Sequence, residues 1–486
     1  MGKAVLDVRP VLFVNGYLLL VLAGAMGIPA AIDGLAGNAD WQVFLAAAAA
    51  TGFIAGVLIL GNRPRSRLRL NIRQAFLVTV SGGILLAAFA ALPLIFSTLH
   101  LSVTDAVFEA MSGLTTTGAT VITGLATLPA GILVWRALLN WLGGAAIIVM
   151  GMAVLPFLRI GGMQLFRMDS SDRSEKIRSR LSHVVRAAAL TYAFFTLCSA
   201  IAFAAAGMTP LDAACQAMAA VSTGGFSTSD QSLAHWGTGV QWVAVASMLV
   251  GAAPLPLFVA HWRRRPATIL RDPQLRSYLG AIALFSLAVA MWRWTTSDWS
   301  LGQSLRDSIF SVTSVMTTTG FVVSDYGNWG GFARIVFFLL AFVGGCTGSP
   351  AGGIRVFRWQ VLMRLTKAHV RRLLHPHGVF AVEYDRQFLS DPVTRSVLAF
   401  VIVYMVTFAA LAVALAMTGL DLTSALSGSA AALGNGGRGL GAVIGPAGSY
   451  QSLPDAAKWI LTFEMLVGRL ELFTVFVVFS RGFWRE

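Results

Sequence analysis

An all-α polytopic membrane protein is the fold class this sequence predicts, on three observations. Of its 486 residues 56% are hydrophobic and only 12% are charged, and the mean hydropathy is +0.72, far above what a soluble core needs. Its basic residues gather in clusters between long apolar runs. Four segments match one another without a gap: 105–120 (DAVFEAMSGLTTTGAT), 212–227 (DAACQAMAAVSTGGFS), 307–322 (DSIFSVTSVMTTTGFV) and 424–439 (SALSGSAAALGNGGRG). Each is a short helical run that breaks into hydroxylated or glycine residues between apolar stretches. Such a segment dips into a bilayer without crossing it, and irregular backbone at that depth is tolerated only when buried in protein or lining a watery cavity.

The elements follow in order. Two leading spans, 11–32 and 41–60, meet the ~20-residue requirement for crossing. The first reads as a retained span and not a cleaved signal peptide, since no isolated small-residue cleavage site follows it. Then a span, a re-entrant segment and a second span recur four times: 75–96, 104–120 and 132–158; 184–206, 211–227 and 240–261; 279–294, 305–322 and 332–361; 393–417, 423–439 and 456–483. The sum is ten transmembrane helices in five units: 1–68 (leading helices), then the pore repeats 69–160, 161–265, 266–375 and 376–486. Each repeat crosses twice and returns the chain to its starting side. The repeats are therefore parallel, unlike the inverted repeats of many secondary transporters, and a pseudo-fourfold axis is their natural closure.

Charge sets the orientation. Clusters at Arg63, Arg65, Arg67, Arg69 and Arg73, at Arg159, Arg167, Arg173, Lys176, Arg178 and Arg180, at Arg263, Arg264, Arg265, Arg271 and Arg276, and at Arg355, Arg358, Arg364, Lys367, Arg371 and Arg372 mark cytoplasmic loops. Both termini fall on the cytoplasmic side and the re-entrant segments enter from outside. The formal net charge of +14 thus encodes topology, not nucleic-acid binding; contact with anionic membrane lipid or a cytoplasmic partner is a secondary reading. Cys198, Cys215 and Cys346 are far apart and read as small buried residues.

A dehydrated monovalent cation needs oxygens in place of its water shell, and four backbone strands converging on an axis can supply rings of carbonyls. Gly118, Gly225, Gly320 and Gly437 occupy one repeat position, where bent backbone favours glycine. The residues before them, Thr116 and Thr117, Thr223 and Gly224, Thr318 and Thr319, and Asn435 and Gly436, would offer carbonyls and also hydroxyls as ligands. Asp105, Asp212 and Asp307 precede their glycines by thirteen positions and suit the start of the short helix as caps and dipole partners.

Two further features sit inside spans. Residues 344–353, namely Gly344, Gly345, Cys346, Thr347, Gly348, Ser349, Pro350, Ala351, Gly352 and Gly353, interrupt the span 332–361, either as a packing kink or as an opening into a cavity. Arg469 lies eleven residues beyond Lys458, roughly 16 Å along a helix at ~1.5 Å per residue. An intramembrane charge has a partner or a task; Glu464 and Glu471 are candidate partners.

Taken together, TTTGAT at Thr115, STGGFST at Ser222, MTTTGF at Met316, GGCTGSPAGGIRVFR at Gly344 and GRLELF at Gly468 resemble the signatures of the Trk/Ktr/HKT potassium transporter superfamily, specifically its bacterial TrkH/TrkG membrane subunit, over essentially the whole chain. The resemblance implies potassium uptake across the inner membrane, K⁺ as the transported ion with no organic cofactor, a homodimer with one pore per protomer, and a cytoplasmic nucleotide-binding regulatory subunit of the TrkA type. It makes residues 344–353 an intramembrane gating loop beneath the filter and Arg469 a pore-facing cation that contacts loop carbonyls. Arg438 departs from the family pattern, which places proline after the fourth filter glycine. Its expected orientation is outward, paired with Asp421 or Asp455, because a charge on the axis opposes cation entry.

Two other functions compete with a gated pore. A symporter coupling potassium to sodium or protons needs titratable groups along the route, and beyond Glu464, Arg469 and Glu471 the spans offer few. An enzyme finds no support in HExxH, GxSxG or facing carboxylates, and the histidines fall mostly in loops or span ends.

Overall fold

The computed structural model describes residues 7–64, 70–153, 174–255, 257–258, 271–378, 380–385 and 387–485. Arg65, Arg67, Arg69, Arg159, Arg167, Arg173, Arg263, Arg264 and Arg265 of the basic clusters lie outside these residues, as do the expected ends of the spans 132–158 and 240–261.

Helix α1 (Arg9–Ala36) opens on Pro10 and stops at Gly37, whose left-handed backbone returns its N–H to the carbonyls of Asp33 and Gly34. It packs along α2 (Asp40–Gly61) and also against α3 (Ile72–Ala90) and α6 (Ala130–Ala153). A reciprocal cap starts α3: Asn71 accepts from the Gln74 backbone N–H at 2.7 Å, and Gln74 accepts from the Asn71 N–H at 2.9 Å. The short α4 (Leu92–Phe96) prolongs α3, and α5 (Val103–Leu114) precedes α6. Then come α7 (Ser174–Ala205), α8 (Pro210–Val221), α9 (Thr238–Gly251), α10 (Pro273–Thr296), α11 (Leu301–Met316), α12 (Gly331–Leu340) and α13 (Val356–Leu374). A two-stranded hairpin (Glu383–Tyr384, Gln387–Phe388) leads to α14 (Asp391–Met417), α15 (Leu422–Leu433), α16 (Asp455–Arg469), α17 (Leu472–Phe479) and α18 (Arg481–Arg485).

Among the described residues seven helical stretches are long and apolar enough to cross a membrane: α1, α2, α3 with α4, α6, α7, α10 and α14. Exposed aliphatic residues such as Leu197 and Ile201 on α7 and Ile402, Val406 and Val413 on α14 form faces suited to lipid. By contrast α6 is largely enclosed, and its Trp135 and Leu139 sit in a core shared with α1, α2 and α5.

Four short helices, α5, α8, α11 and α15, hold 12 to 16 residues, too few to span. Ser102, Thr209, Ser300 and Asp421 cap their N-termini through side-chain oxygens. Asp105 and Asp212 lie in the first turn, as anticipated. Asp307 does not, because α11 begins at Leu301; its carboxylate is buried and meets Arg293 at 3.0 Å and Arg306 at 3.2 Å. The Arg293 guanidinium is clamped between the Trp299 and Trp329 rings, 4.0 Å from each centroid.

Besides Asp307, other expectations from the sequence are corrected. The final stretch 456–483 is not one helix: it breaks at Leu470 and Glu471, and Glu471 adopts φ 61°. The cause is electrostatic, since the turn delivers the Glu471 carboxylate to Arg358 and, at 3.8 Å, to Arg355. Cys198 is exposed, on the same α7 surface as Leu197 and Ile201, whereas Cys215 and Cys346 are buried.

Candidate functional site

The site is built at the C-terminal ends of α5, α8, α11 and α15. In each the backbone N–H of the residue just before the glycine donates to a carbonyl five residues back: Thr117 to Ser112 (2.8 Å), Gly224 to Ala219 (2.8 Å), Thr319 to Ser314 (3.0 Å) and Gly436 to Ala431 (2.8 Å). The chain then unwinds through two left-handed residues. Thr116, Thr223, Thr318 and Asn435 have φ of 49°, 53°, 56° and 53°, and Gly118, Gly225, Gly320 and Gly437 have φ of 82°, 71°, 81° and 69°. A left-handed threonine is strained, and three of them at one repeat position, with the more tolerant Asn435 at the fourth, mark a backbone held by its surroundings. That strain was invisible in the sequence, where only the glycines signalled unusual backbone.

The four turns close on one another. A methyl group added to Gly118 would strike the Gly224 carbonyl oxygen; one on Gly225 would strike that of Thr319, one on Gly320 that of Gly436, and one on Gly437 that of Thr117. Each glycine therefore abuts the peptide oxygen of the next segment, in chain order, and the fourth returns to the first. All twelve candidate filter residues lie within this ring and are buried, apart from the half-buried Gly436. The hydroxyls of Thr117 and Thr319 are engaged with Thr115 (2.8 Å) and Thr317 (2.7 Å), and Asn435 Nδ2 donates to Thr117 Oγ1 at 3.0 Å and to the Met465 carbonyl at 2.9 Å. These side chains brace the turns, while the buried Thr116 hydroxyl has no hydrogen-bond partner among the described residues and stays available beside the backbone carbonyls. In addition, the C-terminal ends of the short helices bring partial negative charge to the ring.

Sequence reading missed a brace behind the ring. Glu109 Oε1 accepts from Arg136 Nε at 2.8 Å and from Thr120 Oγ1 at 3.0 Å, and Oε2 accepts from the Val121 backbone N–H at 2.9 Å. Arg136 also donates to the Ser227 carbonyl at 2.9 Å and lies 4.3 Å from the Phe226 ring centroid, joining the first segment to the second. Gln216, at the repeat position of Glu109, bonds Ser227 Oγ at 2.8 Å. An acid and an amide at one repeat position were the available signal.

Beside the glycines a cavity of about 270 Å³ is lined by Gly118, Thr120, Gly225, Ser227, Asp230 and Arg438, among others. Arg438 does not pair with Asp421 or Asp455. Its Nε donates to the Gly320 carbonyl at 3.3 Å and its Nη1 to the Gly448 carbonyl at 3.1 Å. The turn that places Gly437 against Thr117 aims the following side chain across the mouth, so the outward orientation fails for geometric reasons.

Helix α12 ends at Leu340, and residues 341–355 run without helix until α13. Val343 and Ile354 bridge in parallel, Cys346 N–H donates to the Ala252 carbonyl at 3.0 Å, and Thr347 N–H donates to Gln274 Oε1 at 3.0 Å. This loop touches the ring directly. Gly352 N–H donates to Thr318 Oγ1 at 2.8 Å, and a Cβ there would collide with the Gly434 carbonyl and Asn435. Arg469 reaches the loop from α16: Nη1 donates to the Pro350 carbonyl and Nη2 to the Gly143 carbonyl at 3.4 Å. Neither suggested acidic partner takes it, since Glu471 engages Arg355 and Arg358 while Glu464 forms no ion pair among the described residues. The crevice bounded by Ala351, Gly352, Asn435, Arg469 and Glu471 measures about 10 Å³, room for a single water at most.

Residues 41–484 match the TrkH family, described as cation transport protein. The Trk system potassium uptake protein TrkI of Halomonas elongata is 42% identical over 486 residues, covering 98% of this chain and 97% of the relative. The Trk system potassium uptake protein TrkH of Escherichia coli is 35% identical, covering 98% of this chain and 99% of the relative. The crystal structure of the potassium transporter TrkH from Vibrio parahaemolyticus superposes with a TM-score of 0.90 at 32% identity, covering 99% of this chain and all of that one. A sequence match of this extent, carried by a shared fold, establishes descent: the chain belongs to the TrkH family of cation transport proteins.

Proposed function

We propose that this chain takes up potassium across the bacterial inner membrane through a gated, channel-like pore. The single observation that carries the reading is the closed ring of four glycine-hinged turns, in which each glycine abuts a peptide oxygen of the next segment. Thr116, Thr117, Gly118, Thr223, Gly224, Gly225, Thr318, Thr319, Gly320, Asn435, Gly436 and Gly437 form the selectivity filter, and K⁺ is the cargo. Residues 344–353 and Arg469 form the gate, closed in this conformation, as the 10 Å³ crevice supports.

The architecture follows from the same reading. Seven long spans are joined by three interrupted passages, at α9, at α12 with α13 and at α16 with α17, to give ten crossings in units 1–68, 69–160, 161–265, 266–375 and 376–486 about a pseudo-fourfold axis. Both termini are cytoplasmic. The protein works as a homodimer, and a cytoplasmic nucleotide-binding subunit of the TrkA type moves the loop; kinship with Trk system proteins supports a regulatory partner.

Flux into vesicles tests the proposal. The purified chain, reconstituted with sodium and proton gradients clamped, is expected to carry potassium down its own gradient, and more so with the nucleotide-binding partner added. Uptake that appears only with a sodium or proton gradient would replace the pore with a symporter.

A further inference from the structure

The carbonyls of Gly118, Gly225, Gly320 and Gly437 come last in the four turns, and they are not equivalent. Gly320 accepts from the Arg438 guanidinium at 3.3 Å, and Gly437 accepts from the Tyr450 hydroxyl at 3.2 Å. Among the described residues no donor meets the other two. Arg438 packs its Cγ 3.7 Å from the Cβ position of Gly320, so its stem lies on the ring while its head faces the 270 Å³ mouth cavity. Its charge is not neutralised: among the described residues no carboxylate comes within ion-pair reach, the Nη1 partner is the neutral Gly448 carbonyl, and the cavity's acidic residue, Asp230, accepts instead from the Leu125 backbone N–H at 3.0 Å.

A fixed positive group on one of these carbonyls does what a bound ion would do there. It uses an oxygen the incoming ion needs and repels that ion through a poorly screened path. We propose that the Arg438 guanidinium is a tethered cation at the outermost ion position of the filter, which sets the external potassium concentration the pore requires and excludes divalent cations from its mouth. The inference rests on the pore reading above. It makes Arg438 a residue that determines affinity and selectivity, and the fourth segment the one that breaks the equivalence of the ring. Repulsion scales with charge, so the barrier to an external divalent ion is about twice that to potassium.

The test is rubidium uptake into vesicles holding the purified chain, measured against external potassium and with external barium as blocker. Arg438→Gln is expected to lower the KM for potassium about tenfold and to raise sensitivity to barium at least tenfold. Arg438→Lys, which keeps the charge, should return both values most of the way to the parent's. An unchanged KM and unchanged barium sensitivity in a conducting Arg438→Gln overturns the inference while leaving the pore intact, whereas absence of flux in parent and variants alike overturns the pore itself. The parent gives a check that needs no variant to fold: block by micromolar external barium would show the outer position open and the inference wrong, and persistence of flux at millimolar barium supports it.

Discussion

Replacing Arg469 by alanine removes a buried cation and two hydrogen bonds in one step. Its bond to the Pro350 carbonyl ties α16 to the loop, and its weaker bond to Gly143 ties it to α6. A charge-assisted bond of this kind is worth about 1.5–3 kcal/mol, so losing it biases the loop toward displacement. The charge acts separately: a potassium ion passing about 6 Å from a guanidinium, at an effective dielectric constant of about 20, meets about 3 kcal/mol of repulsion, or roughly a hundredfold in rate. Arg469→Ala should therefore raise potassium flux into vesicles by between about tenfold and a hundredfold. Arg469→Lys, which keeps the charge but loses the two-pronged donor, should rise less. If Arg469→Ala elutes and melts like the parent yet conducts no faster, neither the electrostatic barrier nor the latch on Pro350 operates.

Other outcomes follow from the ring and its supports. Gly225→Ala places a methyl on the Thr319 oxygen and imposes a left-handed alanine, so flux should fall at least about tenfold even where the protein still purifies as a monodisperse species. Arg136→Gln leaves Glu109 buried and unpaired, costing about 3–5 kcal/mol, which a thermal-shift measurement in detergent would register as a large drop in midpoint. Asp421 caps α15, and hydrogen bonding with Ser424, whose backbone N–H donates to Oδ2 at 3.1 Å, holds its carboxyl below the usual carboxylate range. Because the folded value is depressed, the cap stabilises above the ordinary carboxylate pKa and fades as pH falls through the lowered one; Asp421→Ala should cost about 1 kcal/mol at neutral pH and flatten stability below about pH 4.

What the sequence discloses depends on range. Local signals translated well: the glycines at one offset reappear as four positive φ values, and the Gly and Pro residues of 344–353 interrupt a helix, as their backbone chemistry requires. Helix starts were legible where a capping residue sat nearby, and Asp307 was misplaced because Ser300 caps α11 almost two turns upstream. Interactions across long separations left little trace. Glu109 with Arg136 and Arg358 with Glu471 are paired by the fold, and the break at Glu471 lacks any Pro or Gly at the break itself. The direction of Arg438 depends on the closing of the ring, which composition and spacing cannot convey.

The bond from Gly352 to Thr318 has a bearing on how such a protein can change over time. On the proposed reading of residues 344–353 as the gate and the ring as the filter, a lid seated against the sieve it covers cannot shift without tugging on the sieve, and permeation preference and opening probability are inherited together. Substitutions that loosen the lid should also blur discrimination among alkali metals, and lineages that retune one property will have to retune the other.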